Sequence, residues 1–325
     1  MDLIVADVGG TNTRVARAHR DAAGWSLHEA QRYPSRDFPD LATILEHWRS
    51  EQSSVTALAA AGLAVAGPVH HGRARVTNLS WPPLDSRALS ERLGLPVTLL
   101  NDFAAIGSSL DALRPDDLLL LQEGARDPAG LRLVAGAGTG LGTCMVGPPG
   151  AAAIYPGEGG HARFSPSGAE EAALADFIAR ELGYCTREHL LSGRGIARIG
   201  RFELDRQPDP DLQLALDQTD PAAAISQLAL AGHEAALAVI NRFVGVYAGQ
   251  LADMALTALP TGGVFLAGGI APRWSEAFRG PRFRTAFRNR PPMTHLLEQL
   301  PVALIMHPEP GLLGAAVSAS RSVKP

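Results

Sequence analysis

Three glycine-rich corners, each placed directly after an apolar run, are the first residues of this chain whose types and spacing could do chemistry. Asp7-Val8-Gly9-Gly10-Thr11-Asn12 follows Leu3-Ile4-Val5-Ala6, Gly136-Ala137-Gly138-Thr139-Gly140 follows Leu131 to Ala135, and Gly268-Gly269-Ile270 follows Val264-Phe265-Leu266-Ala267. Glycine lets the backbone approach a ligand closely, and exposed N–H groups make a nest for an anion. Thr11 and Thr139 would add hydroxyl donors. The chemistry this suits is phosphate binding. It is not the dinucleotide fingerprint: Gly136-x-Gly138-x-Gly140 has the wrong spacing and opens a strand rather than a helix. A tight hairpin wants glycine in any case, so either hairpin alone reads as a turn; the three corners together favour a phosphate site.

Asp102 is the candidate general base. It follows the short apolar run Pro96 to Leu100, where a carboxylate can be fixed beside a substrate hydroxyl at the carboxyl end of a strand. The competing reading is an Asx turn or N-cap before a helix at Phe103. Gly157-Glu158-Gly159-Gly160-His161 puts an acid and an imidazole in one glycine-rich loop. A carboxylate can accept from neighbouring sugar hydroxyls, and a neutral imidazole both donates and accepts, which suits a polyol; a surface turn is the plainer account. Glu188 could be a further hydroxyl acceptor or a solvated helix residue.

The elements that must hold these residues follow from periodicity. Leu3 to Ala6 and Thr13 to Ala18 read as a strand pair, Phe38 to Trp48 as a helix, and Leu58 to Ala66 as a buried strand ended by Gly67-Pro68. Leu131 to Ala135 and Leu141 to Val146 form a second strand pair that resembles the first, which suggests two related halves meeting near residue 110. Ser167-Gly168-Ala169-Glu170 fits a capping box for a helix to Leu182 stopped by Gly183. Ala235 to Leu259 reads as a long, largely buried helix, Val302 to Ile305 as a last strand, and Pro310 onward as a terminal helix.

Composition excludes much else. The chain has 325 residues, 46% of them hydrophobic and 19% charged, so disorder is excluded and two domains are expected. A net charge of −4 does not suit a nucleic-acid binder. Lysine occurs once, at Lys324, which removes Walker A, protein-kinase and Schiff-base chemistry. Cys144 and Cys185 have no CxxC spacing, which suggests a reducing compartment and no cysteine-based zinc site. His28-Glu29 and His233-Glu234 lack the second histidine of HExxH, and the sequon Asn78-Leu79-Ser80 reads as chance. No targeting segment or membrane span is read, so a cytoplasmic protein is expected.

Taken in order, Asp7 to Arg14, Asn101-Asp102-Phe103, Gly136 to Gly142, Gly157 to His161, Leu191-Ser192-Gly193 and Pro310 to Gly314 resemble the motifs of bacterial glucokinases of the proteobacterial, non-ROK type, within the actin/hexokinase/Hsp70 ATPase superfamily. The resemblance covers essentially the whole chain. It implies an α/β, two-domain actin-like ATPase (ribonuclease H-like) fold, with a cleft between a small α/β domain (1–110 plus 308–325) and a larger α+β domain (111–307). It implies ATP-dependent phosphorylation of D-glucose at the 6-hydroxyl, the first step of glycolysis, with Asp102 taking the proton. It further implies that Asn78, Asn101, Asp102, Glu158, His161 and Glu188 hydrogen-bond the sugar. The ATP contacts would be Ala6, Asp7, Val8, Gly9, Gly10 and Thr11, with Gly138 and Thr139 on the phosphates and Gly268 and Gly269 near the adenosine. Asp7 would lie by the Mg²⁺, through water where the ion keeps its own. A homodimer is implied, with no nucleic-acid or membrane partner. Family members often carry Val-Asp where this chain has Ala162-Arg163, and His-Thr where it has Leu79-Ser80. Both departures lie near the sugar motifs and bear on hexose preference. The cysteine cluster of ROK-family kinases is absent from the sequence.

Two other readings compete. A sugar-sensing regulator would need an added DNA-binding domain, for which a phosphate hairpin beginning at residue 6 would leave no room. An actin-like filament protein would have no use for Glu158 and His161 in a sugar loop.

Overall fold

The computed structural model describes residues 1–52, 57–76 and 79–323. The chain divides into two compact units, one of Met1–Asp117, Pro149–Pro156 and His307–Pro325, the other of Leu118–Pro148 and Gly157–Met306.

In the first unit β1 (Asp2–Val8), β2 (Asn12–Asp21), β3 (Gly24–Pro34), β4 (Leu58–Val65) and β5 (Val97–Asn101) form a sheet of order β3-β2-β1-β4-β5. The first three strands are antiparallel neighbours, and β4 and β5 join in parallel. Side chains alternate across a strand, so β1 feeds two cores. Ile4, Ala6 and Val8 meet Leu41, Ile44, Leu45 and Trp48 of the helix Leu41–Glu51. Leu3 and Val5 face the opposite core, with Ala104 and Ala105 of Asp102–Ser109 and Leu312, Ala315 and Ala316 of Pro310–Ser320. The sheet is thus covered by helices on both faces, as the near-continuous apolar character of β1 and β4 requires.

On that second face the helices lie very close. A Cβ at Gly314 would come 1.6 Å from the carbonyl oxygen of Ala105, and one at Gly62 of β4 would come 2.2 Å from that of Ala315. Both obstacles are backbone, so neither can yield by a side-chain rotation. Gly314→Ala is expected to destabilise the protein by on the order of 3 kcal/mol through overpacking, read as a lowered urea midpoint; an unchanged midpoint would contradict this packing.

In the second unit β6 (Leu118–Gln122), β7 (Arg132–Ala137), β8 (Leu141–Val146), β9 (Gly263–Ala267) and β10 (Val302–Ile305) run in the order β8-β7-β9-β10-β6. An antiparallel hairpin, β7 with β8, is followed by two parallel neighbours, β9 and β10. This repeats the pattern of β1, β2, β4 and β5, so the hairpin likeness read in the sequence belongs to two sheets of the same core topology. The extra strand β6 runs antiparallel on β10.

The long helix is Glu234–Ala258, and every residue from Phe243 to Ala252 is buried. The Tyr247 hydroxyl donates to the Ala135 carbonyl of β7, 3.1 Å away, which seats the helix on the sheet. Its most apolar stretch is 72% buried, and it serves as the core helix of this unit.

One local expectation is corrected. The helix Gly168–Leu182 does end at Gly183 in the left-handed conformation, but Ser167 makes no side-chain cap. Instead the Ser167 N–H donates to Glu171, 2.7 Å away, so the reciprocal bond comes from one residue beyond the Glu170 of a capping box.

Candidate active site

In the first unit, parallel pairing decides which residues share an edge. Val8 pairs with Val65 and Val65 pairs with Asn101, so the Asp7–Gly10 corner and Asn101-Asp102 emerge together at the carboxyl ends of β1 and β5. In open α/β sheets that edge is where ligands bind. The corner itself is tight: the Gly9 N–H donates to the Asn12 carbonyl at 3.0 Å. Ser35 braces it from outside. Its hydroxyl donates to Gly9 O (2.9 Å), its N–H donates to Thr11 O (3.0 Å), and Thr13 Oγ1 lies 3.0 Å from its Oγ. Among the described residues the N–H groups of Gly10 and Thr11 have no hydrogen-bond partner, which leaves them available to an anion.

Asn101, and not Asp102, is the helix cap. Its Oδ1 accepts from the N–H groups of Phe103 (2.9 Å) and Ala104 (3.1 Å), and its Nδ2 donates to Gly67 O at 3.1 Å. One amide hydrogen is left for a substrate. Asp102 opens the helix, its Oδ1 accepting from Phe103 N–H at 2.9 Å, and its side chain is half-buried.

Asp7 is electrostatically strained. Burial first, then the charge of Asp102, push its pKa up to about 6; Arg14 opposes them and Glu309 adds to them. Arg14 Nη1 in turn donates to both carboxylate oxygens of Glu309, at 3.1 and 2.9 Å. The C-terminal helix begins beside this cluster, where a Cβ on Gly311 would sit 3.6 Å from Asp7 Oδ2. The Arg14–Glu309 pair and Ser35 escaped the sequence reading. The partners of the pair are 295 residues apart, and nothing in the flanking pattern of either marks the pairing.

In the second unit the pairing of Gly136 with Ala267 brings the corners at Gly138-Thr139 and Gly268-Gly269 side by side. Gly268 has φ +87°, and a Cβ there would lie 2.3 Å from the Ala137 carbonyl oxygen, so only glycine fits. Glu188 is no solvated helix residue. Its Oε2 accepts from the Leu141 N–H at 3.0 Å, and Arg194 lies 3.5 Å from Oε1. Gly193 N–H donates to Gly138 O at 2.9 Å, so the segment 188–193 holds the hairpin turn from behind.

The loop of Glu158 and His161 is held by its backbone. Thr143 Oγ1 donates to Gly157 O (3.0 Å) and accepts from Gly159 N–H (3.2 Å). The Glu158 and His161 side chains are exposed, 72% and 65%, with His161 Nε2 3.8 Å from Glu158 Oε2. Thr143→Val keeps the shape and removes both bonds. It is expected to raise the KM for sugar several-fold with little change in melting temperature; an unaltered KM would show that the loop does not depend on Thr143.

Asn78 lies outside the described residues. Among the described residues no group of three or more His, Cys, Asp or Glu is placed to hold a metal ion.

Two sheets of one topology, each ending in a glycine corner at the carboxyl end of its first strand, define the actin-like ATPase fold of the glucokinase and ROK kinases. Known proteins bear this out. A glucokinase from Synechocystis sp. is 34% identical over 99% of both chains. The crystal structure of a glucokinase from an Antarctic psychrotroph superposes with a TM-score of 0.83 at 29% identity, covering 98% of this chain and 99% of the other. That of a glucokinase from Balamuthia mandrillaris in complex with glucose gives a TM-score of 0.79 at 21% identity, over 98% and 93%. The family model described as Glucokinase matches residues 4–322. The chain belongs to the glucokinase family, the non-ROK branch, and is an ATP-dependent kinase of glucose.

Proposed function

We propose that the protein transfers the γ-phosphoryl group of ATP in line to the 6-hydroxyl of D-glucose, with Asp102 as the general base. The observation that carries this reading is the shared edge of β1 and β5: the bare N–H groups of Gly10 and Thr11 and the half-buried carboxylates of Asp7 and Asp102 all stand there. Phosphoryl transfer asks for that combination of phosphate cradle, acidic residues and proton acceptor, and for little covalent chemistry.

The sugar is held by Asn101, Asp102, Glu158, His161 and Glu188, with Asn78 as a further ligand. Glu158 and His161 have the exposed polar atoms that hydroxyls need. Glu188 positions Leu141 with Oε2, and its Oε1, beside Arg194, is the oxygen that would accept from the substrate. The ATP phosphates meet the backbone of Ala6 to Thr11 and of Gly138-Thr139, and Gly268-Gly269 lies by the adenosine. Mg²⁺ fits Asp7: a half-buried carboxylate already crowded by Asp102 and Glu309 gains from a divalent cation, and carboxylate oxygen is the donor this ion prefers. When bound, the ion neutralises charge on the phosphates; Asp7 orients it, and Asp102 accepts the proton. The protein acts in the cytoplasm as a homodimer.

The test is a coupled assay of glucose, mannose, fructose, glucosamine and N-acetylmannosamine, each with Mg-ATP and with polyphosphate. ATP with glucose should give the highest kcat/KM. A higher value for another sugar or donor would replace that part of the assignment, and inactivity throughout would reject the kinase mechanism.

A further inference from the structure

On the second unit, away from the glycine corners and the sugar loop, a cleft of about 490 Å³ opens beside β6. Its lining is mostly polar and strongly basic: Arg279, Arg284 and Arg288 against one carboxylate, Glu123, with Gln122 and Leu120 below. The volume falls within the roughly 300–1,000 Å³ of small-molecule sites.

The arginines are arranged for a ligand more than for the fold. Arg284 and Arg288 stand four residues apart on the helix Pro281–Arg288, a like-charge spacing that weakens a helix. Arg284 has no ion pair or hydrogen bond among the described residues. Arg288 is pre-aimed. Gln122 is 3% exposed, and its amide nitrogen donates to both Leu297 O and Leu300 O at 2.8 Å. Its amide orientation is thereby fixed, and its Oε1 accepts from Arg288 Nε at 2.7 Å. The terminal nitrogens of Arg288 remain without partners among the described residues. Arg279 is tethered to Glu276 at 3.3 Å by one nitrogen. Guanidinium forks match the oxygens of a phosphate group.

We propose that this cleft binds a small phosphate monoester, the dianion held by Arg284 and Arg288 and a hydroxyl of the same molecule accepted by Glu123. The site is separate from the residues of the kinase reaction, so it stands or falls independently of that assignment. The carboxylate among the arginines favours a hydroxylated ester over bare inorganic phosphate.

Titration calorimetry of the full chain tests this, with glycerol 3-phosphate and inorganic phosphate as parallel probes and a non-hydrolysable ATP analogue with glucose occupying the reaction site. The expected result is saturable binding of glycerol 3-phosphate, tighter than that of inorganic phosphate. Arg284→Ala and Arg288→Ala should each weaken it about tenfold or more, with the KM for Mg-ATP unchanged. Arg284 makes no bond among the described residues, so its variant should fold as the parent does. Absence of saturable binding, or binding that neither variant weakens, would overturn the proposal, and inorganic phosphate binding as tightly as the ester would overturn the role of Glu123.

Discussion

The Asp102→Asn enzyme is expected to lose about a thousandfold in kcat, or about 4 kcal/mol of transition-state stabilisation, the middle of the range for a positioned general base. Its fold should persist. The asparagine oxygen can still accept from Phe103 N–H, and the cap on this helix belongs to Asn101, which is untouched. Glucose affinity, measured by equilibrium binding without nucleotide, should stay within a few-fold, since the amide keeps a hydrogen-bonding oxygen. Loss of kcat with retained binding separates a base from a sugar ligand. Turnover within tenfold of the parent would remove Asp102 from the proton-transfer step.

Asp7→Asn is expected to abolish Mg-ATP turnover and yet stabilise the metal-free protein. The Asp7 pKa rises from 3.8 to about 6 on folding, chiefly through burial and the neighbouring Asp102 charge. The sign follows from proton counting. Below pH 3.8 both folded and unfolded forms are protonated and nothing is lost. As pH climbs toward 6 the unfolded chain gives up its proton first, so the folded state weakens. Above pH 6 the full difference, about 3 kcal/mol, opposes folding. The neutral amide carries no such penalty. Urea melts of the metal-free proteins should therefore diverge between pH 4 and pH 7, with the variant gaining about 3 kcal/mol over the parent at the upper end. An advantage that does not grow with pH would falsify the burial argument. A carboxylate kept at a cost to stability is the mark of a functional site.

Much of this was legible in the chain itself. Strands β1, β4, β5, β7 and β9 are apolar runs stopped by glycine or Asn-Asp, and they are read within a residue or two because both of their faces are buried. The long helix Glu234–Ala258 announces itself in the same way. Strand β3 does not. Its residues from Glu29 to Arg32 are exposed, so it lacks the alternation that marks a half-buried strand and exists because β2 offers it a ladder. Strand β6, Leu118-Leu119-Leu120-Leu121-Gln122, has no alternation either; pairing with β10 alone decides it. Likewise Ser167 looks like half of a capping box, but the acceptor that reaches its N–H is Glu171, a choice set by side-chain reach in the folded turn.

The sequence by itself determined the chemistry on offer: glycine corners for phosphate, acids at strand ends, an acid and a histidine in one loop, and one lysine too remote for any lysine-based mechanism. Those are properties of residue type and local spacing, and they survive without a fold. Only the tertiary structure decided which groups act on one another. Parallel pairing set Asp7 beside Asp102 across 95 residues of chain and raised its pKa; the return of the C-terminal helix brought Glu309 to Arg14; Glu188 was turned from a surface acid into the brace of the Gly136–Gly140 turn. Burial and charge proximity are fields summed over neighbours in space, and a linear chain does not list those neighbours.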